Sequence, residues 1–471
     1  MSTGVAPARG SHWWLRPAGM IFAAYLAVLT VGTAALLLPI ARVGEGGASL
    51  LVAAFTATSV VSVTGLATVD TATYWTGFGH AVIFILCEVG GLGVMTLTSL
   101  LLVRLSHRLG LRQRVTTGAE AGGYLPGNVK HVVITVVRVA LVVQMAVAAA
   151  LAARFWWHYG YDPLKAAWYG IFHSATAFNN LGYALFSDNL IGFEGDWWII
   201  TPICMAIIIG GLGLPVLLEL WYHRERLYNR VRRIFRRRTK VPPANARRWT
   251  IHTRIMIVGS IILLVGGFVI LTLSEWGNPA TLQPLSLPDK ILGGIGLSVF
   301  PRTGGFNSLD IGELRDESWF ITDVLMFIGA GPAGTSGGLK VSTVAVIGAI
   351  AMTEIRGNRV THIYDRSIPA ATQRTSVAVA AAFTAITLGS IALMLAITDF
   401  NETAIITEVV SALGTVGLTT GITPELGAPA QLLEMLLMFI GRLGPVTFAA
   451  ALALNSRTTM YTLPEERPFI G

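Results

Sequence analysis

The chain has 471 residues, of which 53% are hydrophobic and 13% charged, with a net charge of +8 and a mean hydropathy of +0.63. Soluble domains carry about 25% charged residues, so the composition excludes an ordinary soluble fold and points to membrane spans. The apolar runs are continuous rather than alternating, which also excludes a β-barrel.

A spanning helix needs about 20 mostly apolar residues. Eight segments satisfy this: 19–41, 79–103, 132–153, 197–221, 253–274, 319–350, 376–398 and 430–454. The first follows a polar start containing Arg9 and Arg16 and is too long for the core of a signal peptide. Cys87 and Cys204 fall in apolar spans without metal-like spacing and are expected to be small core residues.

Between successive spans lie four half-length apolar stretches. Residues 48–63 end at Val63-Thr64-Gly65, and 163–178 lead to Asn180-Leu181-Gly182. Residues 287–301 lead to Thr303-Gly304-Gly305, and 402–414 lead to Thr415-Val416-Gly417. Each closing glycine precedes a bulky apolar residue, and the four glycines lie 117, 123 and 112 residues apart. The unit helix, half-helix, glycine turn, helix therefore occurs four times, which divides the chain into 1–130, 131–250, 251–374 and 375–471.

Irregular backbone is tolerated in a membrane only where it is buried or lines a cavity. Four equivalent re-entrant turns can surround one axis, so that their carbonyls replace the water shell of a cation. The partly negative C-terminal ends of the half-helices favour a cation over an anion. The expected fold is an all-α integral membrane protein. Its eight transmembrane helices form four helix–pore-loop–helix repeats around a pseudo-fourfold pore.

The sixth span is interrupted by GAGPAGTSGG at 329–338, in which five glycines and a proline cannot sustain a helix. The candidate barrier comprises Gly329, Gly331, Pro332, Gly334, Thr335, Ser336, Gly337 and Gly338. Arg442 lies within the eighth span, where a buried charge needs a cavity or a partner. It is expected either to guard the pore or to pair with Glu434 or Glu88.

Basic residues favour one side of the membrane, with twelve Lys and Arg in 222–254 alone, while the opposite loops carry excess carboxylates from Glu45 and Asp70 to Glu425. Both termini are therefore expected in the cytoplasm. The run 223–240 suits a cytoplasmic loop touching anionic lipid better than a nucleic-acid site. No Ser/His pair, HExxH or cluster of aspartates occurs in the spans, and no phosphate-binding glycine loop is present, so no enzyme is expected. An alternating-access cation carrier remains the alternative reading.

The segments VTGLATVDT (63–71), AFNNLGY (177–183), FPRTGGFNS (300–308), FIGAGPAGTSGGLKVST (327–343), GTVGLTTG (414–421) and FIGRLGPVTF (439–448), with the ending PEERPFIG (464–471), resemble the Trk/Ktr/HKT superfamily of potassium transporters. The resemblance covers about 15–460 and is nearest to the bacterial Ktr-type membrane subunit. It implies a potassium-selective filter at Gly65, Gly182, Gly305 and Gly417 and the two residues before each, and a mobile intramembrane gate at 329–338 close to Arg442. Gly65 implies potassium over sodium, and Gly304 departs from a commoner alanine. The resemblance further implies potassium uptake, with sodium as a second candidate ion and no covalent cofactor. It also implies a homodimer in the cell membrane, bound to a separate cytoplasmic nucleotide-binding ring.

Overall fold

The computed structural model describes residues 17–108, 129–221 and 249–454. The basic run 223–240 and the ending 464–471 lie outside them. The first quarter contains α1 (Pro17–Leu36), the half-helix α2 (Leu50–Ser62) and α3 (Gly77–Arg108). The second contains α4 (Val129–Trp157), the half-helix α5 (Pro163–Phe178), α6 (Trp197–Leu212) and α7 (Leu214–Trp221). The third contains α8 (Ile251–Glu275), the half-helix α9 (Leu287–Val299), α10 (Asp316–Phe327) and α11 (Val341–Ile355). The fourth contains α12 (Ala370–Ile397), the half-helix α13 (Glu402–Gly414) and α14 (Ala428–Leu454).

Among the described residues, α8, α12 and stretches of α3 and α4 are long and apolar enough to cross a membrane, and α6 with α7 is a fifth, bent candidate. The segment 197–221 is therefore not the uninterrupted span expected from its apolar run. Gly213, at φ +87°, ends α6, and α7 leaves at 102°. Pro215 follows, where its ring suits the first turn of a helix but not an interior. Segment 319–350 is broken as expected. Among the described residues two short β pairs interrupt the helices. Ile328–Gly329 (β1) runs parallel to Leu339–Lys340 (β2), closing the base of the 330–338 loop, and His362–Ile363 (β3) is antiparallel to Arg366–Ser367 (β4).

Three of the four half-helices, α2, α5 and α13, start where a side-chain acceptor caps free backbone donors. Ser49 accepts from Val52 N at 3.3 Å, Asp162 from Leu164 N at 3.0 Å and Asn401 from Thr403 N at 3.4 Å. α2 and α13 stop as Val63 and Thr415 enter the left-handed region, and α5 and α9 are followed by it at Asn180 and Thr303. Van der Waals contact between closely approaching backbones carries helix packing in membranes, and glycines supply that approach here. A Cβ on Gly90 would lie 2.3 Å from Val61 O, one on Gly210 2.0 Å from Phe178 O, and one on Gly441 2.0 Å from Leu413 O. In three quarters the helix that follows the half-helix is thus seated on the C-terminal end of that half-helix. Cys87 and Cys204 are buried free thiols.

Candidate functional site

The four half-helices end in one repeated backbone device. Val63, Asn180, Thr303 and Thr415 adopt φ of 57°, 61°, 65° and 51°, and two residues later Gly65, Gly182, Gly305 and Gly417 adopt 100°, 81°, 71° and 93°. The first reversal is closed by backbone bonds. Thr64 N donates to Ser59 O at 2.8 Å, Leu181 N to Thr176 O at 2.8 Å and Val416 N to Ser411 O at 2.9 Å. In the first and fourth turns a serine hydroxyl also receives the glycine amide, Gly65 N to Ser59 Oγ and Gly417 N to Ser411 Oγ, both at 3.0 Å. Left-handed residues with side chains are uncommon and persist where the surroundings over-determine them. Four at equivalent positions mark a shared geometric demand.

The turns meet. A Cβ on Gly65 would lie 1.9 Å from Leu181 O, one on Gly182 2.4 Å from Gly305 C, one on Gly305 2.4 Å from Val416 O, and one on Gly417 2.3 Å from Thr64 O. The contacts run first to second to third to fourth and back to first, a closed ring of glycines and carbonyls that no side chain can enter. Gly304 has a negative φ and faces Ile207 Cδ1 at 2.9 Å from its would-be Cβ, behind the ring. Thr64, Leu181 and Val416 contribute carbonyls to the ring, and all three residues are fully buried.

On one side of the ring lies a cavity of about 310 Å³ bounded by the four glycines and by Asp70, Asp188 and Asp310 from the loops that follow the first three turns. Asp70 accepts from Ser187 Oγ at 2.6 Å, Thr73 Oγ1 at 2.7 Å and Ala72 N at 2.9 Å, which joins the first loop to the second. Partial burial pushes the Asp70 carboxyl upward, but these hydrogen bonds outweigh it and hold it below its ordinary value. Tyr183 Oη donates to Leu66 O at 2.8 Å and Leu190 N to Asn307 O at 3.0 Å, so the cavity walls are linked across quarters.

The 329–338 loop abuts the opposite side of the ring. Thr335 Oγ1 donates to Asn180 Oδ1 at 3.0 Å and to Phe178 O at 3.2 Å, and Asn180 Nδ2 donates to Thr303 Oγ1 at 3.0 Å. Gly337 leaves room for only 2.1 Å between a Cβ and Thr415 Oγ1. The loop is also clasped by the α6–α7 bend: Gly331 N donates to Gly211 O at 2.8 Å, Thr335 N to Gly210 O at 3.2 Å, and Leu214 N to Ala333 O at 3.1 Å. Gly329, Gly334 and Gly338 keep backbone contact with Gly337, Gly211 and Gly414. Pro332 O lies 2.4 Å from where a Gly213 Cβ would be, and Ser336, like its neighbours, is buried.

Arg442 is buried, donating to Thr335 O and, at 3.1 Å, to Gly90 O. Its partners are carbonyls, not Glu434 or Glu88, so the ion pair considered from the sequence does not form. Glu88 instead accepts from Gln144 Nε2 at 2.8 Å and Asn179 Nδ2 at 3.0 Å. Two participants were not singled out in the sequence. Lys340 donates to Ser336 O at 2.6 Å and Gly337 O at 2.9 Å, and Gly213 forms the bend that receives the loop. The Gly210-Gly211-Leu212-Gly213-Leu214-Pro215 string was the available signal for the bend.

The sequence model described as "TrkH: Cation transport protein" matches residues 21–460. The chain belongs to the TrkH cation transport family. It is 33% identical to the Ktr system potassium uptake protein B of Bacillus subtilis, over 97% of this chain and 98% of that one. It is 34% identical to the protein of the same name from Vibrio alginolyticus, over 96% and 94% of the two chains. It is also 31% identical to the potassium/sodium uptake protein NtpJ of Enterococcus hirae, over 97% and 98%. The crystal structure of the potassium transporter TrkH from Vibrio parahaemolyticus superposes with a TM-score of 0.70 at 14% identity, covering 95% of this chain and 87% of that one, which establishes a common fold.

Proposed function

We propose that this member of the family takes up potassium across the cell membrane through a selective pore on the axis of the glycine ring. The observation that carries the reading is the closed contact of Gly65, Gly182, Gly305 and Gly417 between an acid-lined cavity and the clasped 329–338 loop. Carbonyls held by four equivalent turns can replace a cation's hydration shell, and the half-helix C-termini add partial negative charge. Asp70, Asp188 and Asp310 raise the local cation concentration at the mouth. Val63-Thr64-Gly65, Asn180-Leu181-Gly182, Thr303-Gly304-Gly305 and Thr415-Val416-Gly417 form the filter. Residues 329–338 with Arg442 form the gate beneath it.

The same reading places eight spans in four repeats, 1–130, 131–250, 251–374 and 375–471, with the acidic cavity outside and both termini in the cytoplasm. The assembly is a homodimer with a separate cytoplasmic nucleotide-binding subunit, in keeping with relatives named as parts of a Ktr system. An alternating-access carrier built from inverted halves has no need for four equivalent turns in one ring.

Potassium flux into liposomes containing the purified chain, with sodium present or absent on the outer side, tests the function. Saturable potassium flux that exceeds sodium flux is expected. Its absence from folded, correctly inserted protein overturns the reading.

A further inference from the structure

The outer half of the fourth quarter contains a polar cluster that the pore does not use. Glu434 on α14 is fully buried, and neither of its carboxylate oxygens has a hydrogen-bond partner. Gln431 lies three residues earlier, hence on the same helix face. Its amide nitrogen donates to Leu426 O at 2.8 Å, while its buried Oε1 is likewise without a donor. Glu408 on α13 is fully buried within electrostatic reach of Glu434, and its carboxylate accepts from the hydroxyls of Thr423 and Thr419. Thr419 also borders the cavity above the glycine ring, so one hydroxyl separates Glu408 from that cavity.

A buried carboxylate without a partner is costly, and two neighbouring ones more so. The charged groups on the surrounding elements make their contacts elsewhere. Asp323 on α10 accepts from Thr407 at 2.9 Å, and Arg442, two turns along α14, is held by Thr335 O and Gly90 O. The Glu434 carboxylate and the Gln431 amide oxygen are therefore acceptors without donors, beside a Glu408 carboxylate that two threonine hydroxyls serve. A proton would cover one oxygen and leave the others bare, whereas a metal cation serves several at once. The few oxygens present fall short of the six to eight that calcium takes.

We propose that Glu434, Glu408 and the Gln431 amide oxygen hold a sodium ion behind the fourth turn, admitted from the outer cavity past Thr419. The ion braces the segment from Gly417 to Thr423 through the two threonines that Glu408 holds. The site is read from the orphaned oxygens alone, and only its effect on transport rests on the proposed pore.

Thermal unfolding of the purified full chain in increasing NaCl, with choline chloride keeping ionic strength constant, tests it. A ligand that binds only the folded state raises Tm as its concentration passes Kd, so a saturable rise is expected with sodium and not with choline. Glu434→Gln removes the charge at constant volume and is expected to shift the half-effect concentration at least tenfold upward. Gln431→Leu, which leaves both carboxylates, is expected to shift it in the same direction by a smaller factor, and it serves if Glu434→Gln does not fold.

Four outcomes overturn the site: an equal rise in choline, an unchanged sodium response in the variants, a Tm that follows pH but not sodium, or saturation by calcium where sodium has no effect. Sodium stabilisation without potassium flux would sink the pore reading and leave the site. Potassium flux without sodium stabilisation would do the reverse.

Discussion

Asn180 accepts a hydrogen bond from the Thr335 hydroxyl and donates one to the Thr303 hydroxyl, each at 3.0 Å. One amide side chain thus ties the loop of the broken helix to two of the four glycine turns. If the loop is the gate, its closed position is registered directly by the glycine turns.

Thr335→Val keeps the shape of the side chain and removes its donor. It leaves Asn180 Oδ1 buried and unsatisfied, at a cost of about 1–3 kcal/mol to the closed arrangement. Potassium or rubidium flux per folded molecule is expected to rise, and Thr335→Ser is expected to restore the native rate. Equal flux in all three proteins would show that this link does not hold the loop shut.

Arg442→Ala is expected to raise flux more. The guanidinium holds Thr335 O and Gly90 O, and hydrogen bonds to charged groups contribute about 1.5–3 kcal/mol. In the proposed pore its charge also opposes cations. Combined with Thr335→Val the effect should be less than additive, because both act on one loop. Rescue of the stability of Arg442→Ala by neutralising Glu434 or Glu88 would instead restore the ion-pair reading that the geometry rejects.

Gly213→Ala tests the clasp. Gly213 has φ +87°, and a Cβ there would lie 2.4 Å from Pro332 O, so alanine cannot coexist with the seated loop. Higher flux is expected, and deleting several residues within 331–336 is expected to raise it likewise. Unaltered flux from folded Gly213→Ala protein would mean that the loop does not bar the path.

Gly65→Ser tests selectivity. Its Cβ would fall 1.9 Å from Leu181 O at φ +100°, so the first and second turns must separate before the hydroxyl matters. A change of about 1.4 kcal/mol is a factor of ten, and the preference for potassium over sodium is expected to fall at least about that much. The measurement is the flux ratio of the two ions in liposomes, and an unchanged ratio would remove Gly65 from the filter.

Asp70 gives a pH dependence with a definite sign. Burial raises its carboxyl, the hydrogen bonds from Ser187, Thr73 and Ala72 N together outweigh that rise, and the net value lies below the ordinary 3.8. Its stabilising effect is then complete above 3.8 and lost as pH falls through the lowered value. The Tm difference between the native chain and Asp70→Asn should be constant at neutral pH and shrink only below that range. Ser187→Ala should bring the loss to higher pH. A difference that stays constant into strong acid would show that the carboxylate's hydrogen bonds add nothing.

The apolar segments, the half-length stretches, the repeated glycines and the interruption at 329–338 were legible in the sequence, because each depends on local properties. Span length follows from hydropathy, a helix stop from glycine or proline, and repetition from spacing alone. Gly213 was less legible, since a glycine inside an apolar run is equally compatible with close helix packing. Only the backbone angle, imposed by the loop seated against it, decides for a bend. The partners of Arg442 depend on carbonyls freed in chain segments about 107 and 352 residues away, and carbonyl direction leaves no trace in residue type. The same holds for Asn180, Thr335 and Thr303, ordinary polar residues until folding points their side chains at one another. Sequence by itself thus determined the elements and their repetition. Tertiary structure decided which backbones touch and which buried polar atoms find partners, because both depend on contacts between distant parts of the chain.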